Sequence, residues 1–235
     1  MATTFGAVVT GDVNASTRLA AAAARGLEAL LERCYAETDA ALPRAGLRGY
    51  SAFRGDAWQF AVGCPEFAVR AALFYRGRLL VHSERQLGRK LHSSAAIGFG
   101  TIEWLPDGTS SAGGGTAYEL SGRRLDRLRR RMPGLGLAGL ADAPASPATE
   151  EGLDVMLGVL DALVRRWTAH QAEAVVLSMQ GLAQGEIARQ WEPRVSQQAI
   201  HKHLAAAGWP ALEPALAWLE TTLTGCFGEN NLPRL

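Results

Sequence analysis

Two aspartates and one arginine are the residues whose placement most plainly suggests chemistry. Asp12 follows Gly11 in "FGAVVTGDV", where a short apolar run stops. Asp56 sits in "YSAFRGDAWQF", between two short apolar runs and directly behind Arg54 and Gly55. Carboxylates that meet at one end of a sheet can hold Mg²⁺ or Mn²⁺ on a polyphosphate, and without a cation they repel each other. Gly11 and Gly55 would let a phosphate or metal come close to the backbone. Arg54 adds a positive charge beside Asp56. A plainer reading stays open beside this one: both stretches are turns, and Asp12 caps the helix that follows.

The arginine lies in a helix expected from Thr116 to just before Pro133. At about 100° per residue, Ala117, Leu120, Leu125, Leu128 and Met132 form one apolar stripe. Arg123, Arg127 and Arg130 project away from it, as a solvated face does. Arg124 falls inside it. A guanidinium on a buried face needs an anionic partner, because an unpaired buried charge is costly. That partner could be a core carboxylate or a phosphate group.

The elements that must position these groups follow from hydrophobic periodicity. Phe5–Val9 reads as a buried strand, with Asn14 or Ser16 placed to cap a helix running to about Thr38. A hairpin follows, with strands near 50–53 and 57–62. Pro65 opens a second helix to about Leu80. "SSAAIGFGTIEWL" reads as a further strand, then the 116–132 helix, then one short strand within 133–150 ahead of a Pro/Ala/Ser linker. Strand, helix, hairpin, helix, strand, helix is a ferredoxin-like or palm-type order. Residues 1–150 therefore read as an α/β (α+β) domain. Residues 151–235 read as all-helical, with helices near 153–167, 169–180, 184–191, 196–207 and 211–224. The apolar stripes of the 153–167 and 211–224 helices could pack on their own domain or pair subunits.

Within 169–207 the spacing suggests a helix-turn-helix. Ala188 is small enough for two helices to cross, and Ser196 can cap the second. Gln197, Gln198, His201 and Lys202 would face outward, where Gln reads adenine edges and Lys reaches phosphate or guanine. The charge from 165 to 209 is only +2, from five basic and three acidic residues. Such a module neutralises few phosphates and would bind DNA weakly by itself. A helical interaction module that never touches DNA is the other reading.

Composition sets the frame. The 235 residues carry a net charge of +1, with 48% hydrophobic and 20% charged residues. Those are the proportions of a globular protein rather than of a strongly basic nucleic-acid binder. Only Lys90 and Lys202 are lysines; arginine favours two-pronged phosphate contacts. Cys34, Cys64 and Cys226 are too sparse for a metal clip or redox pair, which fits a reducing compartment. With no signal-like N-terminus and no membrane-length apolar run, the chain is expected to be cytoplasmic.

"VVTGDVNAS", "FRGDAWQF", "AAIGFG", "GTAYELSGRRLDRL" and "GLAQGEIARQW…SQQAIHKHLAAAGW" together resemble the SatD-like proteins of bacteria, over residues 5 to 210. The first part also resembles the catalytic domain of class III nucleotide cyclases. That resemblance implies metal ligands at Asp12 and Asp56, a Mg²⁺ or Mn²⁺ cofactor, a transition-state arginine at Arg124, a nucleoside triphosphate ligand and a homodimer. Two positions depart from it. Leu120 stands where cyclases carry an asparagine, and Ala52 where they carry a base-selecting lysine. In the helix-turn-helix, the span from Ala188 to Ser196 is about two residues longer than is common, and Pro193 lies in the turn. The function expected is a DNA-binding transcriptional regulator whose cyclase-like domain binds a metal–nucleotide or related phosphate ligand. The alternative is a metal-dependent cyclase-like enzyme.

Overall fold

A computed structural model describes residues 3–16, 21–103, 114–131, 134–140 and 147–227. Among the described residues, five strands and eight α-helices follow in chain order: β1 (Thr3–Val13), α1 (Ala21–Ala41), β2 (Leu47–Phe53), β3 (Ala57–Val62), α2 (Ala68–Leu87), β4 (Ser93–Glu103), α3 (Thr116–Arg131), β5 (Leu135–Ala138), α4 (Pro147–Val164), α5 (Ala169–Met179), α6 (Gln184–Gln190), α7 (Gln197–Ala206) and α8 (Trp209–Phe227). Met132, most of the 106–116 loop and part of the 133–150 stretch lie outside the described residues.

The strands form one sheet in the order β2-β3-β1-β4-β5. β1 pairs antiparallel with both β3 and β4, and β4 runs parallel to β5. The first four strands and their two helices give the ferredoxin-like order expected from the sequence. β5 is an added parallel edge reached through α3.

Alternation along the strands divides the sheet into two faces. Ala7, Val9 and Val13 of β1 join Trp58, Phe60, Ile97 and Phe99 in a core shared with α1 and α2. Val8 packs the other way, with Ala61, Ile102 and Ala117, and Ala96 packs against Leu125 and Leu128. Among the described helices, α3 is the one that covers the second face. It lies close because Gly98 leaves room: a Cβ there would stand 2.2 Å from the Ala117 carbonyl oxygen.

The helical half begins earlier than the periodicity suggests. α4 starts at Pro147, inside the stretch read as linker. Proline is at ease at the first helical position, where its missing N–H has no intrahelical acceptor to lose. Residue 150, where the sequence turns all-helical, falls in the first turn of α4. Leu153, Leu157, Leu160 and Val164 of α4 and Leu212, Leu216, Leu219 and Leu223 of α8 are all buried within the chain. Both stripes thus pack on their own chain. The apolar cluster is continuous from the sheet through α2 into α5–α8. A buried ion pair, Arg76 to Asp161 at 2.5 Å, joins α2 to α4. The three cysteines are buried free thiols. Among the described residues no helix is long and apolar enough to cross a membrane.

Candidate metal–phosphate site

The end of β1 and the β2–β3 hairpin are fastened together. The Val13 N–H donates to the Asp56 carbonyl at 3.0 Å, and Asp12 is the register partner of Ala57. Arg54 and Gly55 turn the chain with left-handed backbone, φ 57° and 81°. Glycine adopts that region without strain, so Gly55 is needed for the turn itself. Asp12 and Asp56 are both half-buried. Each carboxylate already has a partner. Ser16 donates its hydroxyl to Asp56. Arg129 pairs with Asp12, Nη2 to Oδ1 at 2.5 Å and Nε to Oδ2 at 3.1 Å.

Burial raises the pKa of Asp12, and the neighbouring Asp56 charge adds to that, while Arg129 and Arg54 act against it. The two aspartates therefore feel one another, with Arg54 and Arg129 in electrostatic reach. A polar chain continues from Asp12 along the α3 face: Gln59 donates to Thr10 at 2.6 Å, and the Thr10 and Ser121 hydroxyls meet at 2.8 Å.

Several expectations change. Gly11 does not open the backbone to a phosphate. It lies on the helix-covered face, opposite to Asp12, and a Cβ there would stand 2.1 Å from the Trp58 indole. Its glycine makes room for that ring. Ala52 is the register partner of Trp58 and shares that covered face, away from Asp12. Asn14 and Ser16 use their side chains on Ser94 and Asp56.

Arg124 also lies elsewhere. It pairs with Asp154 of α4, whose other oxygen accepts the Leu137 N–H at 2.9 Å. Its guanidinium occupies the space left by Gly136 of β5. The anionic partner that its place on the apolar stripe demanded is thus a half-buried protein carboxylate. Arg129, five residues on, is about 7.5 Å further along α3 and about 140° around it. That rotation carries Arg129 to β1 and leaves Arg124 facing β5 and α4. The sequence did hold a clue to Arg129: it stands four residues after Leu125, so it continues the stripe through Ala117, Ser121 and Leu125.

In the helical half, Ser196 caps α7 by accepting the Ala199 N–H at 3.2 Å. Gln197, Gln198, His201 and Lys202 are exposed. Ile187, Ile200 and Leu204 are buried, and Ala199 is half-buried.

Two carboxylates and a serine hydroxyl suit Mg²⁺ or Mn²⁺, which takes one or two carboxylates and fills its remaining positions with water and phosphate oxygens, and the nearby arginines suit those phosphates. No group of three or more His, Cys, Asp or Glu gathers as a ligand set among the described residues. The donor set therefore fits a cation brought with a phosphate ligand better than a cation caged by protein alone.

No family model matches the chain, and no curated protein matches it. Similar solved structures include nucleotide cyclases. One is a bacterial light-regulated adenylyl cyclase, 18% identical over 58% of this chain and 77% of that one, TM-score 0.41. Another is the monomeric guanylyl cyclase domain of a fusion protein from the aquatic fungus Blastocladiella emersonii, 15% identical over 58% and 82%, TM-score 0.35. A third is the adenylyl cyclase CyaB from P. aeruginosa, 16% identical over 54% and 74%, TM-score 0.35.

Proposed function

We propose that the chain carries a cyclase-like site that binds a nucleoside triphosphate through a divalent cation held by Asp12 and Asp56. The observation that carries this reading is that two half-buried carboxylates lie within electrostatic reach of each other at one sheet end, with Arg54 and Arg129 acting on Asp12. When bound, Mg²⁺ or Mn²⁺ would supply the positive charge that lets both aspartates stay ionised against a polyphosphate. Arg54 and Arg129 would meet the phosphates, and the Gly55 turn would hold Asp56 in place. Leu120 offers no hydrogen bond where cyclases have an asparagine, and Arg124 is committed to Asp154. Binding, rather than fast cyclisation, is the activity this equipment supports. The double change Asp12→Ala and Asp56→Ala should abolish metal-dependent nucleotide binding while leaving the fold intact by circular dichroism. Undiminished binding in that variant would reject the site.

The exposed polar face of α7 favours a second reading, in which the nucleotide site regulates DNA binding by the helical half. The capped helix presents Gln197, Gln198, His201 and Lys202 together, the residue types that reach base edges and phosphates. Replacing Gln198, His201 and Lys202 with alanine should then weaken binding to a selected duplex at least tenfold. A duplex bound equally well by the variant would remove this reading.

A further inference from the structure

α3 sends Arg129 to Asp12 and Arg124 to Asp154, in different directions. Arg124 and Arg127 line a groove between α3, β5 and α4. It consists of two adjoining hollows, of about 570 and 240 Å³, which share Arg124, Arg127 and Asp154. Four arginines line the larger hollow: Arg124 and Arg127 from α3, and Arg165 and Arg166 just past the end of α4. Two carboxylates face them, Asp154 and Asp161. Both are already used, Asp154 by Arg124 and Asp161 by the buried Arg76. Arg127 and Arg166 have no ion-pair partner among the described residues. The Nε of Arg124 is buried there with no hydrogen-bond acceptor.

We infer that this groove is a second ligand site, which binds a small phosphorylated molecule without a metal. Guanidinium groups match phosphate oxygens two at a time, so several arginines around one hollow suit a phosphate or diphosphate better than a lone carboxylate. Leu128, Leu135, Gly158 and Ala162 supply apolar wall for the organic part of the ligand. The volume falls within the range of small-molecule clefts, roughly 300–1,000 Å³. The smaller hollow adds Glu150 and Glu151 beside Asp154. Those carboxylates would repel a continuous phosphate backbone, so nucleic acid is the poorer occupant.

Inorganic pyrophosphate is the probe, titrated calorimetrically into the full chain in EDTA so that no divalent cation takes part. Saturable binding is expected. It should persist in the Asp12→Ala, Asp56→Ala variant and weaken at least tenfold in an Arg127→Ala, Arg166→Ala variant. Both arginines are exposed, so the latter variant should keep its fold, and thermal unfolding checks that it does. Absence of heat at millimolar pyrophosphate would overturn the inference. So would binding that needs Mg²⁺, binding lost with the two aspartates, or binding indifferent to Arg127 and Arg166. Displacement of pyrophosphate by a DNA duplex would overturn the small-ligand assignment. Because the signal is sought without metal, its failure leaves the Asp12–Asp56 reading standing, and failure of that reading leaves this one.

Discussion

At the scale of single residues, the governing fact is that two neighbouring carboxylates must find positive charge. Arg129 supplies it to Asp12 in the free chain. A cation entering the site has to compete with that guanidinium. Arg129→Ala should therefore bind Mn²⁺ alone roughly 2–5-fold more tightly by calorimetry, the equivalent of losing a part-exposed ion pair worth about 0.5–1 kcal/mol. Unchanged or weaker affinity would mean that Arg129 does not compete with the metal. The sequence shows some of this and hides the rest. Asp12 and Asp56 are visible because each ends an apolar run next to a glycine. The burial of Arg124 is visible from helical periodicity. Its partner is not, because Asp154 lies on a helix whose first turns read as linker. The Arg129–Asp12 pair is hidden further, since 117 positions separate the two residues.

At the scale of elements, α1 and α2 are joined through one carboxylate. Glu37 of α1 receives Arg33 at 2.9 Å from its own helix, and His82 at 2.8 Å and Arg78 from α2. Burial pushes the Glu37 pKa up, but hydrogen bonds from His82 and Arg33 and the charge of Arg78 outweigh it, leaving it at about 2 against an ordinary 4.5. A depressed carboxylate pKa contributes stability above the unfolded value, and that stability is lost as pH falls through the folded value. The melting temperature should thus fall between about pH 4.5 and 2, and Glu37→Gln should flatten that fall while lowering stability at pH 7. An identical pH profile in the variant would show that this cluster does not link the two helices. These helices also show how element boundaries are misread. α2 runs to Leu87 rather than Leu80 because Val81, His82 and Ser83 are buried against neighbours that periodicity cannot name.

At the scale of the whole molecule, the sheet and the helical half share one apolar core. The change of pattern near residue 150 is plain in the sequence. The packing across it is not, because it depends on long-range contacts such as Arg76 with Asp161 and Arg124 with Asp154. Both pairs place a carboxylate of α4 on an arginine of the sheet-forming half. They make α4 the element that ties the helical half to α2 and α3. The ferredoxin-like strand order follows from the order of elements, whereas the assignment of Arg124 and Arg129 to opposite flanks of α3 emerges only from the packed sheet.

The most direct measurement is calorimetric titration of the full chain with ATP and with GTP, with and without Mg²⁺, with chromatography of the products. Saturable binding that needs the metal is expected, with little or no cyclic product. Tight binding that ignores the metal, or no binding in either condition, would contradict it and leave Asp12 and Asp56 as parts of a turn.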